Sequence, residues 1–308
     1  MHGTLRLITL ILIISWGIWG CGGSPNLLKE IPTTINTVES AGGHIKLVPV
    51  VLIKAPETAV GQKIGELYFA ALIDAIRDED DQSKLMTSQD SDFPAFMAEI
   101  AKASSVSVNA VALSEKGRKQ GYQGIVTAAV NDIRAEAKKT GFLWLRKTRH
   151  FIHYTVTVDL YDPYTGAKII NEVFEGSIKI GQEDYDAYQA GTATSIADLN
   201  DKIEDVAQEL GELIGGALKD HQWKASVLKI RADRIVIPTG RRAGLKEGDR
   251  LAVFESRRLL EGVQGASYIA PGVQVGQVQI TSVTERMAEA KASDSGNIKE
   301  GDIVIPIK

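Results

Sequence analysis

The pattern of apolar and polar positions changes character three times along the 308 residues. Residues 7–19, LITLILIISWGIW, are almost wholly apolar. The run is shorter than the roughly 20 residues of a spanning helix, but it suits the apolar region of a secretory signal, with Arg6 ahead of it and Gly20 behind. Residues 44–54, HIKLVPVVLIK, are β-branched and apolar over most of their length, which predicts a buried strand. Ile64, Leu67, Tyr68, Ala71, Leu72 and Ile76 then recur at helical spacing, so a helix with one apolar face follows. The acidic run Asp78 to Asp81 ends it and reads as a solvated helix end.

A short strand is expected within 84–92. Helices follow over FPAFMAEIAKA and SVNAVALSEKGRKQG, with Ser107 as cap of the second, and then a strand over 122–133. Tyr154, Val156, Val158 and Leu160 alternate with Thr155, Thr157 and Asp159, the period of a strand with one covered face. Pro163 and Gly166 set a hairpin turn at 161–168, so two long antiparallel strands are predicted. Ile196, Leu199, Ile203, Val206, Leu210 and Leu213 predict an amphipathic helix over 194–223. Packing on its own sheet accounts for that stripe, and a coiled-coil partner is the other reading.

From Lys224 onward no helical period persists. A hairpin is expected about Ala232-Asp233 and another over 273–292, with Gly276 as a bulge. One phrase occurs twice, GLKEGDRLAVF from Gly244 and NIKEGDIVIPI from Asn297. Gly244, Asn297, Gly248 and Gly301 are placed to take left-handed angles. Leu245 and Ile298 point inward, and Asp249 and Asp302 bond the turn backbone. Two isolated aspartates offer too few oxygens for calcium, so these are strand-entry turns of a small barrel. The fold class is therefore α+β. An α/β layer domain with a mixed sheet covers residues 45–222, and a small all-β barrel-like domain covers 224–308.

Composition narrows the function classes. A net charge of -4 argues against a general nucleic-acid binder, which needs a basic surface. One cysteine forbids an internal disulfide and any multi-cysteine metal site, and the five histidines form no ligand-spaced cluster. No phosphate loop, G-x-S-x-G or H-E-x-x-H stretch is present, so no catalytic, cofactor-binding or metal residues are assigned and no cofactor is expected. One patch stands out within KKTGFLWLRKTRH, residues 138–150: Phe142 and Trp144 sit among Arg146, Lys147 and Arg149. Aromatic and basic side chains together suit a membrane interface or an anionic partner. The apolar centre of the patch falls short of the roughly nine to eleven residues of a β-span. An ordinary strand with its basic side chains in water is the alternative.

The stretch IWGCGGSP resembles the bacterial lipoprotein lipobox, with Ile18, Trp19 and Gly20 ahead of Cys21. The resemblance implies cleavage before Cys21, a signal peptide over 1–20, lipid such as palmitate on Cys21, and a tether over 21–44. Gly22, where aspartate would retain such a protein at the inner membrane, implies an outer-membrane lipoprotein facing the periplasm. The stretches IKLVPVVLI, QGYQGIVTAAVNDI and VTVDLYDPYTGAKII resemble the α/β domain of the curli secretion lipoprotein, of penicillin-binding-protein activator lipoproteins and of flagellar assembly protein T. VLKIRADRIVIPTGRRAGLKEGDRLAVFE, VGQVQITSVTERMAEAKA and IKEGDIVI resemble the C-terminal domain of flagellar assembly protein T. These resemblances imply a non-enzymatic scaffold of a cell-envelope machine, first of all the ring around the flagellar motor. A ring-forming secretion component of the curli type and an activator of a peptidoglycan synthase are the other classes. The partners implied are the bilayer through Cys21, other envelope proteins and further copies of the chain, with no nucleic acid.

Overall fold

The computed structural model describes residues 43–307 apart from 103–108, 143, 145, 257, 262–266, 271 and 295. Cys21, the signal run and the tether up to residue 42 lie outside the described residues, as does Ser107.

A five-stranded mixed sheet is built first. β1 (Lys46–Lys54) leads into α1 (Ala59–Glu79), then β2 (Ser83–Met86), α2 (Ala95–Lys102) and α3 (Ala110–Lys119). Next come the long strands β3 (Ile125–Thr140), β4 (Lys147–Tyr161) and β5 (Lys168–Ile180), then α4 (Gln182–Gln189) and α5 (Ala197–Asp220). The strand order is β2-β1-β3-β4-β5, with β1 parallel to both β2 and β3 and the last three strands antiparallel. Thr58 caps α1 by accepting from the Gly61 amide at 3.1 Å. Asn109, not Ser107, caps α3, accepting from the Ala112 amide at 3.0 Å, because the helix begins only at Ala110.

Helices α1 and α5 lie on one face of this sheet, and their apolar stripes close its core with Val126, Val130, Tyr154, Val156 and Val158. Ile64, Tyr68, Leu72 and Ile76 are buried, as the spacing requires, while on α5 Ile214 takes the inward place and Leu213 is exposed. A side chain on Gly211 would meet Ala75 Cβ at 2.5 Å, and one on Gly215 would meet Glu79 Cβ at 2.6 Å. The contacts advance together along both helices, so α1 and α5 run parallel, drawn close by small residues at the seam. The acidic run at the end of α1 is not all solvated. Asp80 is buried, bonds Ser83 Oγ at 2.6 Å and the Gln82 amide at 3.1 Å, and lies 3.8 Å from the Lys46 ammonium.

Lys46 in turn donates to the carbonyls of Leu218 and Lys219 at the end of α5, where a cation suits the helix dipole. Beside it sits His221. Burial first, and then the Lys224 charge, push its imidazole down from 6.5 to about 4. The unfolded ring gains a proton below about 6.5, and the folded ring only near 4. The stability from burying a neutral ring is thus complete above pH 6.5 and is lost as pH falls towards 4, on the order of a few kcal/mol. His221→Gln is expected to lose less stability than the native chain between those two pH values, measured as thermal midpoints. Parallel pH curves would remove His221 from the account.

The second sheet has seven antiparallel strands in the order β6-β14-β9-β12-β13-β8-β7. They are β6 (Ala225–Ser226), β7 (Lys229–Arg231), β8 (Arg234–Ile237), β9 (Arg250–Phe254), β12 (Gln274–Val283), β13 (Ala288–Ala292) and β14 (Ile303–Ile307). A separate hairpin pairs β10 (Arg258–Glu261) with β11 (Ser267–Ala270). Segment 225–231 pairs with β14 at one end of the seven-stranded sheet and with β8 at the other, so the sheet curls into a barrel-like closure. Ala232 has φ 53 in the predicted hairpin, and the register shifts beside Gly276 as a bulge demands. Asp249 accepts from the Lys246 amide and Asp302 from the Lys299 amide, each at 2.7 Å, in twin turns whose Gly248 and Gly301 have φ of 91 and 92. Asn297 does not take a left-handed angle, since Ala232 alone among the described non-glycine residues does so. Leu245 is fully buried, whereas Ile298 is only half-buried. The fold class is α+β, a mixed-sheet α/β layer followed by a small all-β barrel-like part.

One apolar cluster runs through both parts. Leu47, Met86, Phe96, Tyr122, Ile125 and Trp223 pack with Ile237, Leu251, Val278 and Val304.

Candidate functional site

The basic aromatic patch lies at the end of a protruding hairpin. β3 and β4 pair out to Thr140 opposite Lys147, while β5 reaches only to Ile180 opposite His150. Beyond His150 the two strands continue alone, an arm of roughly 10 Å at ~3.4 Å per residue before its turn. The root of the arm is braced on the helix side. His150 is buried with its ring 4.4 Å from that of Tyr185 on α4, and Tyr188 donates to the Ile133 carbonyl at 2.6 Å. On the other face His153 bonds Glu136 at 2.9 Å.

The aim of the arm is set further back. Val130 faces Val156 but Asp132 faces Thr155, so Asn131 is an extra residue in β3. Inward positions therefore switch from Val126, Ala128 and Val130 to Ile133. By alternation Lys138, Lys147 and Arg149 point away from the helices. All the patch residues named from the sequence meet at this tip. Phe142 is 78% exposed and Trp144 86%, and Arg146, Lys147 and Arg149 are exposed around them. Lys138 and Lys139 add two further charges, and none of the five cations forms an ion pair among the described residues. Each ring would bury some 150–250 Å² on docking, at about 25 cal/mol per Å², whereas an exposed ion pair is worth only about 0–1 kcal/mol. Charge would steer such a contact, and the rings would hold it.

A second surface was not read from the sequence. Along the outer seam of α1 and α5 runs an open groove of about 730 Å³. Leu67, Ala70, Ala71 and Ala75 form its apolar floor, and among the described residues seven carboxylates and no lysine or arginine line it. Asp74, Glu79 and Asp205 have ion-pair partners in Arg77, Lys219 and Lys202, at 3.4, 3.1 and 3.4 Å. Asp78, Asp201, Glu204 and Glu212 have none among the described residues. The available signal was acids four apart beside each apolar stripe, Asp74 and Asp78 on one helix and Asp201 and Asp205 on the other. Nothing in the sequence says that these two helices adjoin.

A cavity of about 390 Å³ at the junction of the two parts is lined by Arg242, Asp92 and Tyr122. Its half-buried arginine lies 3.4 Å from Asp92 and 6.0 Å from the Tyr122 ring centre. Among the described residues no group of three or more His, Cys, Asp or Glu could hold a metal ion, and no helix is long and apolar enough to cross a membrane.

Fold and surface thus define a two-part α+β protein whose most prominent feature is an exposed arm. Residues 232–306 match the family described as flagellar assembly protein T, C-terminal domain. No curated protein is a match by sequence. Among solved structures the chain is similar to the hypothetical protein CT253 from Chlamydia trachomatis, at 13% identity and TM-score 0.35 over 56% of this chain and 98% of that one. It is similar to the PelC dodecamer from Paraburkholderia phytofirmans, at 15% identity and TM-score 0.28 over 58% and 90%. A minor lipoprotein from Acinetobacter baumannii is similar at 12% identity and TM-score 0.29 over 56% and 94%.

Proposed function

We propose that this chain is a non-enzymatic lipoprotein of the cell envelope, anchored through Cys21 in the outer membrane and facing the periplasm, that scaffolds an envelope assembly of the flagellar-motor ring kind. The observation that carries this is the match of residues 232–306 to the C-terminal domain of flagellar assembly protein T, on a barrel-like sheet with its paired turns at Gly248 and Gly301. The lipobox-like stretch ending at Cys21 supports the anchor. Several acyl chains, at ~0.8 kcal/mol per buried CH2, would hold the chain at a bilayer and raise its local concentration. The arm at Phe142 and Trp144 is the docking element, presenting aromatic area and positive charge on a braced support.

The experiment is labelled-palmitate incorporation and membrane fractionation of the native chain and Cys21→Ser, with swimming scored after deletion of the gene. Label on the native chain, its loss in Cys21→Ser together with release from the outer-membrane fraction, and a loss of swimming are expected. An unlabelled native chain, or one recovered from the cytosol, would overturn the anchor. Intact swimming would overturn the flagellar role.

A further inference from the structure

We infer that the arm of one copy docks into the acidic groove between α1 and α5 of a second copy, so that copies associate head to tail. The inference rests on the reading of the arm as a docking element and names its partner.

Three observations carry it. The arm from Lys138 to Arg149 holds five cations and no acid, and none of the cations is paired among the described residues. Among the described residues the groove presents seven carboxylates and no cation in its lining, four of them without an ion pair, so the two surfaces are opposite in sign. The match extends to the apolar parts. The groove has a floor of Leu67, Ala70, Ala71 and Ala75, and the arm carries two of the largest exposed rings of the protein. The arm is an extension of β3 and β4 with its root fixed under α4, and none of its residues lines the groove of its own chain. A second copy supplies the complement. The two surfaces differ, so the contact is heterologous, and repetition closes a ring or runs on as a filament.

Carboxylates gathered across the seam repel one another while the groove is empty. Arm cations in the groove remove that repulsion, and added salt screens the attraction. Lipid headgroups would satisfy the arm's charge but leave the groove uncompensated, and for this reason a second copy is favoured over a membrane.

The test is charge reversal with a mixing arm, on the full chain in non-ionic detergent. Sedimentation is followed at 50 and 500 mM salt, between which the Debye length falls about threefold, from roughly 14 to roughly 4 Å. The arm variant is Lys147→Glu with Arg149→Glu, and the groove variant is Asp78→Lys with Glu204→Lys. All four positions are exposed, and unchanged thermal midpoints confirm intact folds. The native chain is expected to self-associate at low salt, and each variant alone to do so at least tenfold more weakly. An equal mixture of the two variants is expected to regain association, because each reversed surface then meets an opposite one. A native chain that stays monomeric, a groove variant that associates like the native chain, or an arm that binds anionic vesicles while the mixture stays apart would each overturn the inference. None of these results bears on palmitate labelling or fractionation, so the anchor and the contact fail independently.

Discussion

Gly121→Ala is expected to destabilise the protein by roughly 2–5 kcal/mol. Gly121 stands just before β3 with φ 76, where an alanine pays about 1–2 kcal/mol for its left-handed angle. Its added Cβ would also sit 2.2 Å from the Pro238 carbonyl oxygen and 2.3 Å from Thr239 Oγ1, in the segment that follows β8. Backbone cannot swing aside as a flexible side chain can, so the strand entry and the barrel-like part must separate. Overpacking of this kind adds about 1–3 kcal/mol. Gly248→Ala is the control: φ there is 91, with nothing within 4 Å of an added Cβ, so only the conformational cost applies. Urea unfolding midpoints measure both. Equal losses for the two variants would show that the junction yields and the collision is harmless.

Gln123→Leu is expected to cost about 2–4 kcal/mol by stranding polar groups at the same junction. Gln123 is buried and holds Lys224 with both ends of its amide. Its Oε1 accepts from the Lys224 N–H at 2.9 Å and its Nε2 donates to the Lys224 carbonyl at 2.6 Å. The same Nε2 reaches the Tyr164 hydroxyl at 3.4 Å. Leucine fills the volume but satisfies neither backbone group of the residue that leads into β6. Gln123→Glu keeps the acceptor, loses the donor and buries a carboxyl, so it should not restore stability at neutral pH. A Gln123→Leu chain within 1 kcal/mol of the native one, by the same unfolding measurement, would mean that water replaces the amide without loss.

Much of the architecture was legible because periodicity reports burial. The alternation through Tyr154 and Leu160 and the helical stripe through Ile64 and Ile76 each place one covered face, and all four residues are buried. The turns at Gly248 and Gly301 were readable because glycine followed by aspartate offers a left-handed angle and a backbone acceptor together. Three features were not legible. The long strands number three, because KKTGFLWLRK is where β3 ends and β4 begins, and basic residues on an arm look like those of any wet strand. Helix α4 carries no buried residue, so it shows no stripe to find. The groove needs the knowledge that Gly211 meets Ala75, a contact 136 positions apart whose only local trace is two small residues. The patch at Phe142 and Trp144 was visible as chemistry, but its prominence comes from β5 stopping at Ile180.

The surplus Asn131 in β3 has a consequence for how such an arm can change over generations. Side chains alternate by twos along a strand, so the direction in which Lys138 and its neighbours look depends on the partners they face in β4. Loss of Asn131 would keep every cross-strand pair beyond it, Asp132 opposite Thr155 and Lys138 opposite Arg149, so the basic array would hold its bearing and only the local bend would go. Lengthening the tip by pairs would leave the bearing intact and extend only its reach.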